Sequence, residues 1–388
     1  MIDPARWRRP ALAAAALAST EAAVFYAYWW IRVIAGGLRG PDFFSFYAAA
    51  RIFDERGPGH VYDAALQHTY QDAVLSASTS APHILLPYIH PPHYTILIAP
   101  LGLLSYPSAY AVMAIANLAL AAATVAILAR QGRLDARRTL LLAALLAGYF
   151  PLFVTLVQGQ SDLVMLAPLS AAFAAWSTGR QATAGALAAI ATVKPQLLLL
   201  VPVLFLIRGS WRAIASYLGI AFVLALTSLA VFGVDGIASY LRVVLPWLAG
   251  GAQNFPITGQ SVYSLRGFLE GLPGGHSTAL AILAALLILA AAVLAVSRPG
   301  RELEFAAAVA FSLALSPYQN LHDLVLLALP AYVFVRGGGW LALVVAGAAV
   351  AIDLTLLTST LPAALAVLAI AAVGLVQTSM KSRLRQAR

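Results

Sequence analysis

Six ionisable side chains stand out in a chain that has few of them: Asp42, Asp162, Lys194, Arg266, His322 and Asp323. Asp42 lies in Gly40-Pro41-Asp42-Phe43-Phe44, where aromatics favour a membrane–water boundary. A carboxylate partly withdrawn from water there has its pKa raised, which suits a general base that takes a proton from an attacking hydroxyl. The same residue type is also a preferred cap for a helix starting at Phe43. Lys194-Pro195 interrupts a long apolar run, so its charge could bind an anionic group such as phosphate, or snorkel to the interface. His322-Asp323 follows Ser316-Pro317, and the histidine could donate to a phosphate, orient a substrate, or sit in a capping turn.

Three further signals are weaker. Asp162 begins an apolar run after Gln160, where a helix dipole favours a carboxylate, so a structural role is open. Arg266 lies in a polar stretch; arginine grips phosphate bidentately, but a lone loop arginine is commonly solvated. His90-Pro91-Pro92-His93 offers two histidines without a third or fourth metal ligand at recognisable spacing.

The elements that position these groups follow from composition. Of 388 residues, 61% are apolar and 10% charged, and the mean hydropathy is +0.85. Soluble domains run near half apolar and about a quarter charged. A soluble enzyme, a disordered chain and a nucleic-acid-binding domain are therefore excluded, and an all-α polytopic membrane protein is expected. The net charge of +9 belongs to topology, because the basic residues cluster between apolar runs. Cysteine is absent, which removes disulfides and thiolate chemistry.

Arg6-Trp7-Arg8-Arg9-Pro10 followed by alanines resembles a secretory signal. The apolar run continues through Trp29, Trp30 and Ile31, so a retained first membrane helix is expected. Full-length spans are expected near 10–35, 107–129, 139–157, 213–232, 276–297, 340–357 and 361–377, with shorter ones near 161–178, 303–317 and 321–336. The run 182–207 should be two short helices meeting at Lys194-Pro195. Glu21, inside the first span, should face the bundle.

Placing the basic clusters in the cytoplasm puts both termini inside, with about 12 crossings and the whole chain, 1–388, as one integral membrane domain. Residues 84–104 carry four prolines and are expected to re-enter the membrane; a full crossing there would add one more span. Two long external loops are expected, near 37–90 and 233–275, the first with amphipathic stretches at 43–55 and 62–75. No repeat of the first half is visible in the second, which weighs against a transporter built from internal repeats.

An ordered set of short motifs carries a family resemblance. Asp42-Phe43 is followed by Tyr47-Ala48-Ala49, then Val61-Tyr62-Asp63, Tyr88 with Pro91-Pro92, and Pro100-Leu101. Pro151, Gly159-Gln160-Ser161-Asp162, Gly179-Arg180, Ala184-Gly185 and Lys194-Pro195 come next, then Gln260-Ser261 to Arg266 and Ser316-Pro317 to His322-Asp323. In this order the pieces resemble the polytopic glycosyltransferases of family 87, in the GT-C superfamily. Asp162 departs from the asparagine usual in that family.

The resemblance implies a GT-C-like bundle with a long first external loop and Asp42 as catalytic base. The expected reaction is inverting transfer of mannose or arabinofuranose from a polyprenyl-phosphate donor to a glycolipid or polysaccharide acceptor. It would occur at the outer face of the cytoplasmic membrane. His322 is expected to assist catalysis. Lys194, Arg266, Gln160, Asp162, Gln260, His90 and Asp323 are expected to contact substrate, with no metal, no other cofactor and no nucleic acid. A transporter or flippase of a lipid-linked sugar is the alternative. It would use the same cavity without a base.

Overall fold

The computed structural model describes residues 4–35, 40, 42–75, 85–249, 265–269, 275–296 and 300–337. Among these residues there are helices and no strands. The α-helices are α1 (Pro4–Ala35), α2 (Phe43–Arg56), α3 (Ala64–Leu75), α4 (Pro92–Ile98), α5 (Tyr106–Gly132), α6 (Ala136–Ala147), α7 (Phe150–Gln158) and α8 (Asp162–Ser177). They continue with α9 (Gln181–Ile190), α10 (Leu200–Ile207), α11 (Trp211–Ala249), α12 (Leu265–Leu269), α13 (Gly275–Val296), α14 (Arg301–Ala314) and α15 (Ala328–Gly337).

Among the described residues, two helices are long and apolar enough to cross a membrane: α5, and α11 as far as Pro246, which is kinked at Gly233 (φ +65). The pair α6–α7 makes a third if counted as one span, but it bends by 60°. An unbroken helix was expected over 139–157. Instead Gly148 lets α1 pass so close that a β-carbon there would lie 2.3 Å from the Ser19 carbonyl oxygen, and Pro151 follows in the first turn of α7. The spans expected at 340–357 and 361–377 lie outside the described residues. Glu21 departs from expectation in another way: it is exposed on α1 rather than turned into the bundle.

The core forms around two short helices whose flanks are all covered. α8 buries Asp162, Leu163, Met165, Leu166, Leu169, Phe173 and Trp176, and α14 is buried continuously from Leu303 to Ala314. α8 packs against α5 and α9, and α14 against α10 and α15. α11 turns most of its surface outward, with Leu218, Phe222, Val223 and Leu226 exposed, as a lipid-facing helix does. It still crosses α9 closely. A β-carbon on Gly185 would lie 1.9 Å from the Ala213 carbonyl oxygen, so only glycine lets these backbones meet.

Three irregular segments converge at the α8 N-terminal end. The 182–207 run breaks between α9 and α10, as its proline requires, leaving Thr192 to Leu199 outside α-helix around a short 3-10 turn at Pro195–Leu197. Residues 84–104 do not form a spanning helix: α4 has seven residues and is followed by a 3-10 turn at Ala99–Leu103. His322–Leu327 is a third 3-10 segment, packed on α7 and α8. The amphipathic stretches expected in the first loop appear as α2 and α3, packed on each other.

Candidate active site

Asp42 immediately precedes α2, in the position of an N-cap, yet its side chain makes no capping hydrogen bond. Its Oδ2 instead accepts a hydrogen bond from Gln160 Nε2 at 2.8 Å. Two glycines on either side of Phe43 set this up. Gly40 has φ +61, and a β-carbon there would lie 2.5 Å from Phe43 Cβ; Gly159 has φ +67, and a β-carbon there would lie 2.8 Å from the same atom. Phe43 is completely buried between them, which brings the residue before it beside the residue after Gly159. The Gln160 main-chain oxygen is held by Asn117 Nδ2 of α5 at 2.9 Å.

Behind Gln160, the first residue of α8 opens a buried polar cluster. Asp162 is fully buried, and its Oδ1 accepts from Lys194 Nζ at 2.8 Å. Its Oδ2 lies 2.8 Å from His322 Nδ1. Lys194 Nζ also donates to Asp323 Oδ1 at 2.6 Å and lies 3.5 Å from His322 Nδ1. Asp323 Oδ2 accepts from the Asn320 backbone N–H at 2.6 Å. A carboxylate only accepts, so the imidazole donates from Nδ1 to Asp162, which turns Nε2 outward from the cluster. That Nε2 is buried and has no hydrogen-bond partner among the described residues.

The region around it holds more such atoms. His90 Nε2 lies 3.2 Å from Ser161 Oγ, while its Nδ1 has no partner among the described residues. Gln160 Oε1 and the Tyr94 hydroxyl, which lies beside Ser161, are also buried without a completed hydrogen bond. Such groups cost stability unless a ligand or water satisfies them, so their gathering at one place marks a site built to be filled. A cleft of about 30 Å³ opens beside His90 and Lys194, with Gln196 and, on α11, Tyr240 and Val244 on its walls.

Electrostatics separate Asp42 from the carboxylates of the cluster. Burial pushes its carboxyl above the ordinary aspartate value; nearby His322, the Gln160 hydrogen bond and Lys194 pull it part of the way back. Asp162 and Asp323 share the Lys194 ammonium, whereas among the described residues Asp42 is hydrogen-bonded to the Gln160 amide. The environment of Asp42 thus suits reversible proton uptake.

Family membership follows from comparison. The model of glycosyltransferase family 87 matches residues 88–317, more than half of the chain. The chain belongs to glycosyltransferase family 87. As a family 87 protein with apolar spanning helices it is a membrane glycosyltransferase. Comparisons with curated proteins and with solved structures returned no match. Asp42, His322 and Asp323 fall outside the matched segment and are joined to it in space by Gln160, Asp162 and Lys194.

The structure brings together Asp42, Gln160, Asp162, Lys194, His322, Asp323 and His90. It does not leave Arg266 solvated: the side chain is 1% exposed and donates to the Pro317 carbonyl at 2.8 Å. Lys194 does not snorkel, being closed in by two carboxylates. Gln260 lies outside the described residues. Ser161, Tyr94 and Asn117 had no distinguishing signal in the sequence.

Proposed function

We propose that this family 87 enzyme transfers a sugar, mannose or arabinofuranose, from a polyprenyl-phosphate carrier to a glycolipid or polysaccharide acceptor, with inversion. The observation that carries the reading is the Asp42 carboxylate, oriented by Gln160 at the edge of a buried cluster whose His322 Nε2 has no partner among the described residues. The acceptor oxygen forms a bond to the anomeric carbon as the bond from that carbon to the phosphate oxygen breaks. Asp42 takes the hydroxyl proton. The departing polyprenyl phosphate carries away the electron pair, and His322, as an imidazolium whose Nδ1–H is held by Asp162, donates a hydrogen bond from Nε2 to it, where charge develops in the transition state. Lys194 supports this from behind, as a positive charge shared with Asp162 and Asp323.

His90, Gln160 and Arg266 complete the proposed substrate-contacting set, with Gln260 assigned from the family resemblance, while Asp162 and Asp323, whose oxygens are taken by Lys194, His322 and Asn320, act through the cluster. The set works in a bundle of about 12 spans in the cytoplasmic membrane, opening to its outer face, as the distribution of basic clusters supports. The donor is already activated, so the transfer needs no nucleotide.

The test is product formation by purified protein from a labelled polyprenyl-phosphate sugar and a glycolipid acceptor. We expect product with the wild type and a loss of about 10²- to 10⁴-fold for Asp42→Asn, the range of general-base contributions. Wild-type transfer by a folded Asp42→Asn protein would remove Asp42 as the base. Lipid movement across vesicles without product would identify a flippase.

A further inference from the structure

The buried cluster has the ligand set of a divalent-metal site, and a lysine stands where the metal would. Asp162, His322 and Asp323 each offer one ligand atom, all within 4.8 Å of one another, on buried side chains. Carboxylate and imidazole are both ligand types that divalent cations take. Here Lys194 Nζ lies 2.8 Å from Asp162 Oδ1, 2.6 Å from Asp323 Oδ1 and 3.5 Å from His322 Nδ1. These are hydrogen-bond distances from a single cation to both carboxylates, and Lys194 is 7% exposed.

We propose that the Lys194 ammonium is the resident cation of this site, taking the place of a divalent metal. Two buried carboxylates need compensating charge, since an uncompensated buried charge is strongly destabilising. A metal at the convergence point would collide with Nζ, so ammonium and metal exclude each other there. The ammonium has two of its N–H groups on carboxylates and is not available as a two-pronged phosphate clamp. Lys194 is therefore a positioning residue. Lys194 supplies one positive charge against Asp162 and Asp323, the His322 imidazolium supplies the second, and the cluster so balanced presents His322 Nε2 without needing an ion from solution.

The inference holds whether or not the protein transfers a polyprenyl-linked sugar, because the test reads ion binding. Manganese(II) is titrated into the purified full chain in detergent and bound ion is counted by electron paramagnetic resonance. We expect no saturable manganese in the wild type that depends on Asp162. Lys194→Met, which keeps the chain length and removes the charge, should bind one manganese ion, and Lys194→Met with Asp162→Asn should not. The melting temperature of Lys194→Met should climb with manganese concentration while that of the wild type stays fixed. Should Lys194→Met fail to fold, Lys194→Gln supplies the same comparison with hydrogen bonds to the carboxylates retained. Manganese binding by the wild type that disappears in Asp162→Asn would overturn the proposal, as would a folded charge-free variant that binds none.

Discussion

Gly159 rests against Phe43 so closely that a β-carbon would lie 2.8 Å from Phe43 Cβ, and this contact sets Asp42 beside Gln160. At φ +67 the glycine is also in the left-handed region that residues with a β-carbon disfavour. Gly159→Ala should therefore cost both backbone strain and a displaced Phe43, together more than about 1 kcal/mol. Transfer activity should fall by more than the melting temperature suggests, because the shift separates Asp42 from Gln160. A thermal melt run beside a donor-transfer assay checks this; full activity in a destabilised protein would mean the contact serves folding alone.

Asp42→Asn should lose activity without losing stability. A carboxyl whose folded pKa is raised contributes stability that is present below its unfolded pKa and is lost as pH rises through the folded value. At neutral pH the ionised Asp42 is thus a cost, which the amide removes while still accepting from Gln160. The expected melting temperature at pH 7 is equal to or above that of the wild type. A clear drop would show that the carboxylate holds the fold together.

The raised Asp42 pKa also places the acid limb of the rate profile. A base must be ionised, so transfer should fall as pH drops through a value above the ordinary aspartate pKa of about 3.9. The Gln160 amide lowers the Asp42 pKa, so Gln160→Ala should move this limb to higher pH as well as slow transfer. The pH dependence of kcat/KM for the two proteins measures the shift. A limb that stays in place would separate Gln160 from the titrating group.

Much of this arrangement is visible in the amino-acid order, and the reasons differ by residue. The break at Lys194-Pro195 is legible because proline removes a backbone donor locally, whatever surrounds it. The helices starting at Phe43 and Ala64 are legible from periodic apolar residues. The bend at Gly148 is not, since it depends on where α1 crosses, a contact between residues more than a hundred positions apart. In the site, Asp42 and His322 could be picked out as costly charges in an apolar chain. That Lys194 faces two carboxylates rather than open solvent is a matter of packing, and packing brought Asp162 and Asp323 together from separate helical segments.

Gly185 offers a test of the scaffold away from the chemistry. A β-carbon there would lie 1.9 Å from the Ala213 carbonyl oxygen, against backbone that cannot rotate away. Gly185→Ala should force α9 and α11 apart at a cost of about 1–3 kcal/mol, the usual range for overpacking. The loss should appear as a lower melting temperature in detergent; an unchanged melt would show that the crossing is loose.

The cleft beside His90 and Lys194 measures about 30 Å³, room for a water or two, whereas small-molecule pockets run to roughly 300–1,000 Å³. Among the described residues this cleft is narrower than a sugar. An occupant of this cleft the size of a sugar would need its walls moved apart, and its apparent affinity would fall by the fraction of the chain so arranged. Substitutions that loosen the walls at Tyr240 or Val244 on α11 would then tighten apparent binding without adding a single contact.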